Sequence, residues 1–408
     1  MKEKLKCPKM DVPNLLVVSL VVLVLARNLL PIPGIVSNMM IAGCGCLSFL
    51  YVFLKKYREK NMWKVIALAL FLSVCMLCSI FYNHNASLGE VLWIWCFMGT
   101  ALLLCWFEID KTWFAYLFSL LAAYFLVCIV MCRNVNAILY GTSRNGIAAL
   151  LLFLMLGVYL GQRKSEVIWY LPAALSVIIS AWSLSRAGLL VSAFFGVAVL
   201  FYDFIIRKKG SIKRLVWTAG IMAVSFFLIM NVFPSNDSDV YSEDGDMRYV
   251  NEEYGNTEAE SGSKTDGKNS VTIVNRFQGQ GLKSTRLKIW SEYFWKMTHS
   301  AKEFFLGVTY KDGEFLKEYQ NPHNGYLELH SKFGLFGFVT VMVLLLCAFW
   351  RECYRRDIFG VILFLTILMR AFFDWIVFPG YYDVLVWFFV FENVLIKREN
   401  DEKIQCVH

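Results

Sequence analysis

Residues 321–350 read NPHNGYLELHSKFGLFGFVTVMVLLLCAFW, a polar stretch that passes within a few residues into a long apolar run. As a helix, the run from 333 to 350 is long enough to cross about 30 Å of hydrocarbon. Such runs recur along the whole chain of 408 residues, of which 58% are hydrophobic. A membrane β-barrel would instead show alternating segments of about ten residues. The sequence therefore predicts an all-α integral membrane protein.

Lysine and arginine cluster in alternate connections between these runs, as in KKYREK (55–60), RKKGSIKR (207–214) and RECYRR (351–356). By the positive-inside rule, these connections and both termini lie in the cytoplasm. Membrane topology thus explains the formal charge of +8, and no nucleic acid is expected as a partner. Twelve transmembrane spans are predicted, at about 12–30, 33–54, 63–82, 88–107, 112–132, 145–161, 167–184, 187–206, 215–233, 333–350, 358–378 and 381–396.

The spans divide the chain into three regions. Residues 1–233 form a membrane bundle with spans one to nine, 234–332 form one large external loop, and 333–408 carry spans ten to twelve and a cytoplasmic tail. Within the loop, residues 235–270 are acidic and rich in Ser, Gly and Asn. That composition cannot bury enough apolar surface to fold alone, which predicts a flexible insert.

The rest of the loop, residues 276–332, is expected to be ordered and catalytic. In STRLKIWSEYFWKMTHSAKEFFLG (284–307), apolar residues recur with helical spacing, and basic residues lie among them. This pattern predicts an amphipathic helix on or near the outer membrane surface. The apolar positions of that helix are Leu287, Trp290, Phe294 and Met297.

The chain has twelve cysteines, which in a small secreted protein would suggest a disulfide framework. Here nearly all lie inside apolar runs. Cys75 and Cys78 have CxxC spacing, but they fall in the middle of a predicted span, where they are interpreted as small core residues. We therefore predict no redox centre and no zinc site.

Arginine near hydrocarbon is a candidate for function because burying its charge costs several kcal/mol. Arg27 and Arg144 lie at outer ends of predicted spans, where snorkelling explains them. Arg186 breaks the positive-inside trend on a very short loop, and arginine binds phosphate through two hydrogen bonds. Arg370 and Asp374, spaced i, i+4 deep in a span, form either a mutually neutralising pair or a polar pocket in the bundle.

The polar stretch before residue 333 holds two histidines. Asn321 and Pro322 should turn the chain just before His323. A histidine pKa of about 6.5 makes His323 a plausible general base, and a helix-capping role is the alternative. His330, seven residues later, is interpreted as an interfacial residue. A metal site would need more ligands at suitable spacing, so none is predicted.

The motif PHNGYLELHSKFGLFGF (322–338) resembles the C-terminal signature of the O-antigen ligase and polymerase superfamily of bacterial membrane glycosyltransferases. In that family a histidine-asparagine pair precedes a glycine that opens a transmembrane helix, and His323 and Gly334 fit the spacing. Arg186 and Leu190 fit the family's other mark, an arginine followed four residues later by leucine. STRLKIW followed by FFLGV is similar to the family's arginine-to-tryptophan helix. The acidic insert departs from the family pattern and leaves open how this helix docks.

The resemblance implies transfer of a glycan from a polyprenyl-pyrophosphate carrier to an acceptor hydroxyl outside the cytoplasmic membrane, with inversion and without a metal or other cofactor. The implied partners are the lipid-linked oligosaccharide, an acceptor glycan, the bilayer and other polysaccharide assembly proteins. His323 would accept the hydroxyl proton, and Arg186 and Arg286 would neutralise the leaving pyrophosphate. Secondary candidates are Asn324, Arg144, Arg370, Asp374 and His330.

Three functions remain open from the sequence. A polymerase would join repeat units of a capsule, exopolysaccharide or O-antigen. A ligase would move a finished glycan onto lipid A-core, another envelope acceptor or a protein. A transporter of lipid-linked sugars predicts charged residues along many spans, and few occur besides Arg370 and Asp374.

Overall fold

The computed structural model describes residues 10–131, 133–135, 138–140, 145–163, 165, 167–231, 285–374 and 376–396. Each of the twelve predicted spans overlaps a helix. By length and composition, eight helices within the described residues could cross a membrane, and two shorter helices, Leu171–Trp182 and Ile358–Phe373, are also apolar. The prediction of an all-α integral membrane protein is therefore confirmed, whereas the number of twelve crossings stays a prediction. The proposed insert at 235–270 lies outside the described residues.

The membrane bundle is built from helices before and after residues 285–324. These residues lie in the predicted external loop, and we name them the external segment after that prediction. Those before it are α1 (Val12–Leu29), α2 (Gly34–Lys56), α3 (Lys60–Asn83), α4 (Leu88–Trp106), α5 (Thr112–Val130), α6 (Asn145–Gln162), α7 (Leu171–Trp182), α8 (Arg186–Phe201, continued by a π-helical turn to Ile206) and α9 (Ile212–Asn231). The external segment carries α10 (Thr285–His299), α11 (Ala301–Leu306) and α12 (Phe315–Tyr319). It is followed by α13 (Gly325–Tyr354), α14 (Ile358–Phe373) and α15 (Asp383–Val390, continued by a π-helical turn to Leu395).

Helix α13 begins eight residues before the span predicted at 333–350, because Asn324 caps it. The Asn324 side-chain oxygen accepts hydrogen bonds from the backbone N–H groups of Tyr326 (2.9 Å) and Leu327 (3.3 Å). Such a cap satisfies the N–H groups that a helix start leaves unpaired. The helix is broken at Gly334, whose φ of 64° lies in the region that favours glycine.

Ion pairs join several helices at one end of the bundle, which we name the basic end because RECYRR (351–356) and Arg163 lie there. The guanidinium of Arg163 contacts Glu352 (2.8 Å), Asp357 (2.6 Å) and Glu392 (2.7 Å). Arg163 follows α6, Glu352 lies near the end of α13, Asp357 precedes α14, and Glu392 lies in the turn that continues α15. One buried arginine therefore links four helix ends.

Hydrogen bonds join helix ends at the opposite end, which we name the His323 end. Asn83, the last residue of α3, donates to the carbonyl of Ser331 in α13 at 2.8 Å. The Ser185 hydroxyl, just before α8, donates to the Asn145 side chain at the start of α6 at 3.0 Å. The starts of α6, α8 and α13 therefore lie at the same end of the bundle.

The external segment has a small hydrophobic core of its own, formed by Ile289, Tyr293, Val308, Tyr310 and Leu316. The predicted helix is present as α10, but its apolar residues do not share one face. Leu287 and Phe294 are about half exposed, whereas Trp290 and Met297 pack against the core. Helical spacing alone could not show this, because α10 has apolar residues both on its buried side and on its exposed side.

Candidate active site

His323 lies in a tight turn that other residues hold in place immediately before α13. Asn321 accepts the His323 backbone N–H at 2.9 Å, and the Trp290 indole donates to the Pro322 carbonyl at 2.8 Å. His323 itself has a φ of 48° and is half-buried. Asn324 rather than His323 caps α13. Asn324 therefore occupies the helix-capping position that was the alternative role of His323.

Two opposite charges act on the His323 imidazole. Burial and the positive charge of Arg286 lower the pKa of His323 to about 4, while the negative charge of Asp374 opposes that decrease. Arg286 lies one helical turn before Trp290 on α10, and Trp290 contacts the turn that carries His323. At neutral pH the imidazole is therefore uncharged and has a nitrogen that can accept a proton.

Arg370 and Asp374 form a buried ion pair next to this turn. Arg370 Nη2 lies 2.6 Å from Asp374 Oδ2, and Arg370 is fully buried. Within the described residues, Arg370 Nε and Nη1 meet no acceptor in good hydrogen-bond geometry, although Tyr382 lies beside the guanidinium. A Cβ on Gly325 would come within 2.9 Å of the Ala371 carbonyl, so the start of α13 packs directly on the end of α14. The two charges are therefore paired, as one of the two interpretations from the sequence predicts, whereas the polar pocket stays a prediction.

The structure places Arg186 at the same end of the bundle as His323. It is the first residue of α8, and α8 packs along α14, which ends beside Arg370. Arg186 is half-buried. Arg144 lies outside the described residues. Of the predicted phosphate-binding arginines, Arg286 is therefore the one whose charge acts directly on His323.

His330, which the sequence predicts to be an interfacial residue, is buried within the protein, and both of its ring nitrogens have partners. Nε2 lies 2.9 Å from the Phe304 carbonyl, which can only accept, so Nε2 carries the proton. Nδ1 lies 2.7 Å from the Tyr293 hydroxyl. His330 thus fastens α10 and α11 to α13 and has no nitrogen left for a substrate.

Sequence reasoning also missed a polar network that joins the external segment to the bundle. Lys332 contacts Glu328 (2.9 Å) and Glu90 (2.6 Å), and the Tyr310 hydroxyl donates to Glu328 at 2.8 Å. The i, i+4 spacing of Glu328 and Lys332 was a visible signal. The contribution of Glu90, more than 200 residues away, had no local signal.

The fold and this arrangement define an integral membrane protein with a candidate site where a helix bundle meets an external segment. Residues 171–342, which include Arg186, Arg286 and His323, match the family model described as O-antigen ligase. The match covers less than half of the chain. It confirms the resemblance of this part to the O-antigen ligase family and supports an O-antigen ligase or polymerase type of function in general. No curated protein matches the chain.

Proposed function

We propose that the protein is a polymerase of cell-surface polysaccharide that transfers glycan from a polyprenyl-pyrophosphate carrier to an acceptor sugar hydroxyl. The reaction takes place at the external face of the cytoplasmic membrane and needs no metal. The observation that carries the proposal is the half-buried His323 in a turn at the end of the bundle, where the charges of Arg286 and Asp374 act on its imidazole. The match to the O-antigen ligase family model supports the reaction class.

The transfer breaks one bond and forms one bond at the anomeric carbon. The bond from this carbon to the pyrophosphate oxygen breaks, and the pyrophosphate leaves on its lipid with the electron pair. The acceptor oxygen attacks from the opposite side, which inverts the configuration, and its proton passes to the uncharged His323 imidazole. Arg286 neutralises the charge that develops on the pyrophosphate, with Arg186 as its expected partner. Arg370 would hold the Asp374 carboxylate in place through their ion pair.

The charge of Arg286 also makes the pKa of His323 depend on whether the pyrophosphate donor is bound. In the empty site the Arg286 charge disfavours a second positive charge on His323. A bound pyrophosphate would neutralise Arg286 and so raise the His323 pKa from about 4, while burial, the larger cause, would still hold it below its usual value. Binding of the donor and activation of the base are thereby coupled.

The polymerase is tested with a purified lipid-linked repeat unit and the protein in liposomes. His323→Asn should lower the rate of chain extension by about 10²-fold or more, because asparagine cannot accept the proton. His84→Asn is the matched control: His84 is exposed and, like His323, has a positive φ, which asparagine tolerates. Full activity of His323→Asn would overturn the proposed role of His323.

The same assay separates the alternatives. With the repeat unit as donor and acceptor, a polymerase gives a ladder of lengthening lipid-linked chains. A ligase gives transfer only when a different acceptor, such as lipid A-core, is added. A transporter moves the lipid-linked sugar across the bilayer and releases no polyprenyl pyrophosphate.

A further inference from the structure

Helix α13 presents one apolar stripe to the outside of the protein. Its members are spaced alternately by three and four residues, which places them on one side of a helix. Because α13 is long and apolar enough to cross the membrane, this stripe is where the helix faces lipid. The stripe consists of the exposed residues Phe336, Val339, Val343, Leu346 and Trp350.

The short helix α11 sits at the outer end of this stripe and is held there by its backbone. The Phe304 carbonyl accepts from His330 Nε2 at 2.9 Å. The Phe305 carbonyl lies so close to Gly334 that a Cβ there would be 2.5 Å away. No side chain of α11 is buried, and the phenyl rings of Phe304 and Phe305 point outward, 37% and 46% exposed. The helix is therefore fixed to the protein without burying its aromatic side chains.

Aromatic contacts make α11 continuous with the lipid-facing stripe. The Phe305 ring stacks on Phe336, the first member of the stripe, with 6.2 Å between ring centroids and 24° between planes. On the other side of α11, a recess of about 420 Å³ connects Phe304 and Phe305 to His299. His299 stacks on the exposed Trp295 at 4.7 Å. We name Trp295, His299, Phe304, Phe305 and Phe336 the interfacial patch.

The level of the patch can be judged from the neighbouring span α3. The last residue of α3, Asn83, is hydrogen-bonded to Ser331 of α13, so the end of that span lies at the level of Ser331. Phe336 is five residues further along α13, beyond the break at Gly334, and therefore lies nearer the bilayer centre than Ser331. Amphipathic helices bury their apolar faces about 5–10 Å into the headgroup boundary. The exposed Lys302 could then contact lipid phosphates from the rim.

We propose that the interfacial patch is embedded in the phospholipid leaflet at the His323 end, with α11 acting as a membrane anchor wedged against the break in α13. The partner is the bilayer rather than another protein, because the patch continues a surface that already faces lipid. Tryptophan and phenylalanine are also typical of the buried face of helices that lie at the boundary between headgroups and acyl chains. This inference rests on the membrane fold and does not depend on the proposed glycan transfer.

Photo-crosslinking of the full-length protein in phosphatidylethanolamine and phosphatidylglycerol liposomes tests the anchor. Phe305→p-benzoylphenylalanine keeps the aromatic ring, and the same residue is placed at Leu346 in the lipid-facing stripe and at Lys311, which is exposed in the external segment. We expect phospholipid adducts from positions 305 and 346 and not from 311, measured by mass spectrometry. Adducts from 346 but not from 305 would overturn the proposal. A cross-linked dimer from 305 in place of lipid adducts would show that the patch binds a second copy of the chain and would also overturn it.

Discussion

The Tyr293 hydroxyl lies 2.7 Å from Nδ1 of His330 and links α10 to α13. Because Nε2 of His330 donates to Phe304, Nδ1 of the neutral ring is an acceptor, and the Tyr293 hydroxyl is shared between it and the Leu327 carbonyl at 2.9 Å. Arg286 lies on α10, and His323 precedes α13. The link therefore fixes the helix that carries the arginine against the helix that follows the base.

Tyr293→Phe should weaken this link while keeping the ring in the small core. We expect a loss of about 1–3 kcal/mol in the free energy of unfolding, because buried acceptors lose their donor. We also expect slower glycan transfer, because Arg286 would shift relative to His323. Thermal unfolding and the transfer assay measure the two effects. Tyr116→Phe, at an exposed position on α5, serves as the control, and equal behaviour of the two variants would rule out the link.

The titration of His323 should respond in opposite directions to its two charged neighbours. Arg286→Gln removes a positive charge and should raise the His323 pKa above about 4, whereas Asp374→Asn should lower it. The neutral imidazole reacts with diethyl pyrocarbonate, so the pH dependence of His323 modification, followed by mass spectrometry, reports the pKa. The exposed His84 in the same sample is the internal reference. Shifts of both variants in one direction would contradict the arrangement.

Replacing Gly334 should destabilise the protein. Gly334→Ala puts a side chain at a φ of 64° and a Cβ about 2.5 Å from the Phe305 carbonyl. The expected cost is about 1–3 kcal/mol of unfolding free energy, measured by thermal or chemical denaturation. Gly43→Ala on α2 is the control, since a Cβ there meets no atom within 4 Å. A Gly334→Ala protein as stable as Gly43→Ala would show that the break in α13 needs no glycine.

The Arg370–Asp374 pair can be tested for structure and function separately. Arg370→Met should cost about 3–5 kcal/mol, because it leaves Asp374 buried without a partner. The double variant Arg370→Met/Asp374→Asn removes both charges and should regain most of that stability. If the pair serves the site, the double variant stays poorly active despite its stability. Normal activity in the double variant would assign the pair to folding alone.

Glycan transfer should be insensitive to metal chelation. Arginine side chains are proposed to neutralise the leaving pyrophosphate, so a chelator such as EDTA should leave the rate of chain extension unchanged. The rate is measured with and without chelator and again after addition of Mg²⁺ or Mn²⁺. A rate that falls on chelation and returns with the metal would contradict the proposed mechanism.

Most of the helical architecture could be predicted from the sequence, because apolar runs of membrane length leave a chain in lipid few options. The motif around His323 likewise indicated the resemblance that the family model supports. Residue 333, where the predicted span begins, is not the start of α13. The first two turns of this helix are polar, and they depend on the Asn324 cap and on contacts with the external segment. The sequence pattern also did not show that α10 has apolar residues on both its buried and its exposed side. Periodicity indicates that a helix has an apolar face but not what covers it.

The sequence by itself determined that this is a helical membrane protein and that His323 and its neighbouring arginines are the candidates for chemistry. Only the tertiary structure showed what surrounds each histidine: both ring nitrogens of His330 have partners, whereas the charges of Arg286 and Asp374 act on His323. The physical reason is distance along the chain. Charges 37 residues before and 51 residues after His323 act on its imidazole only because α10 and α14 pack against the start of α13, and no local pattern records that packing.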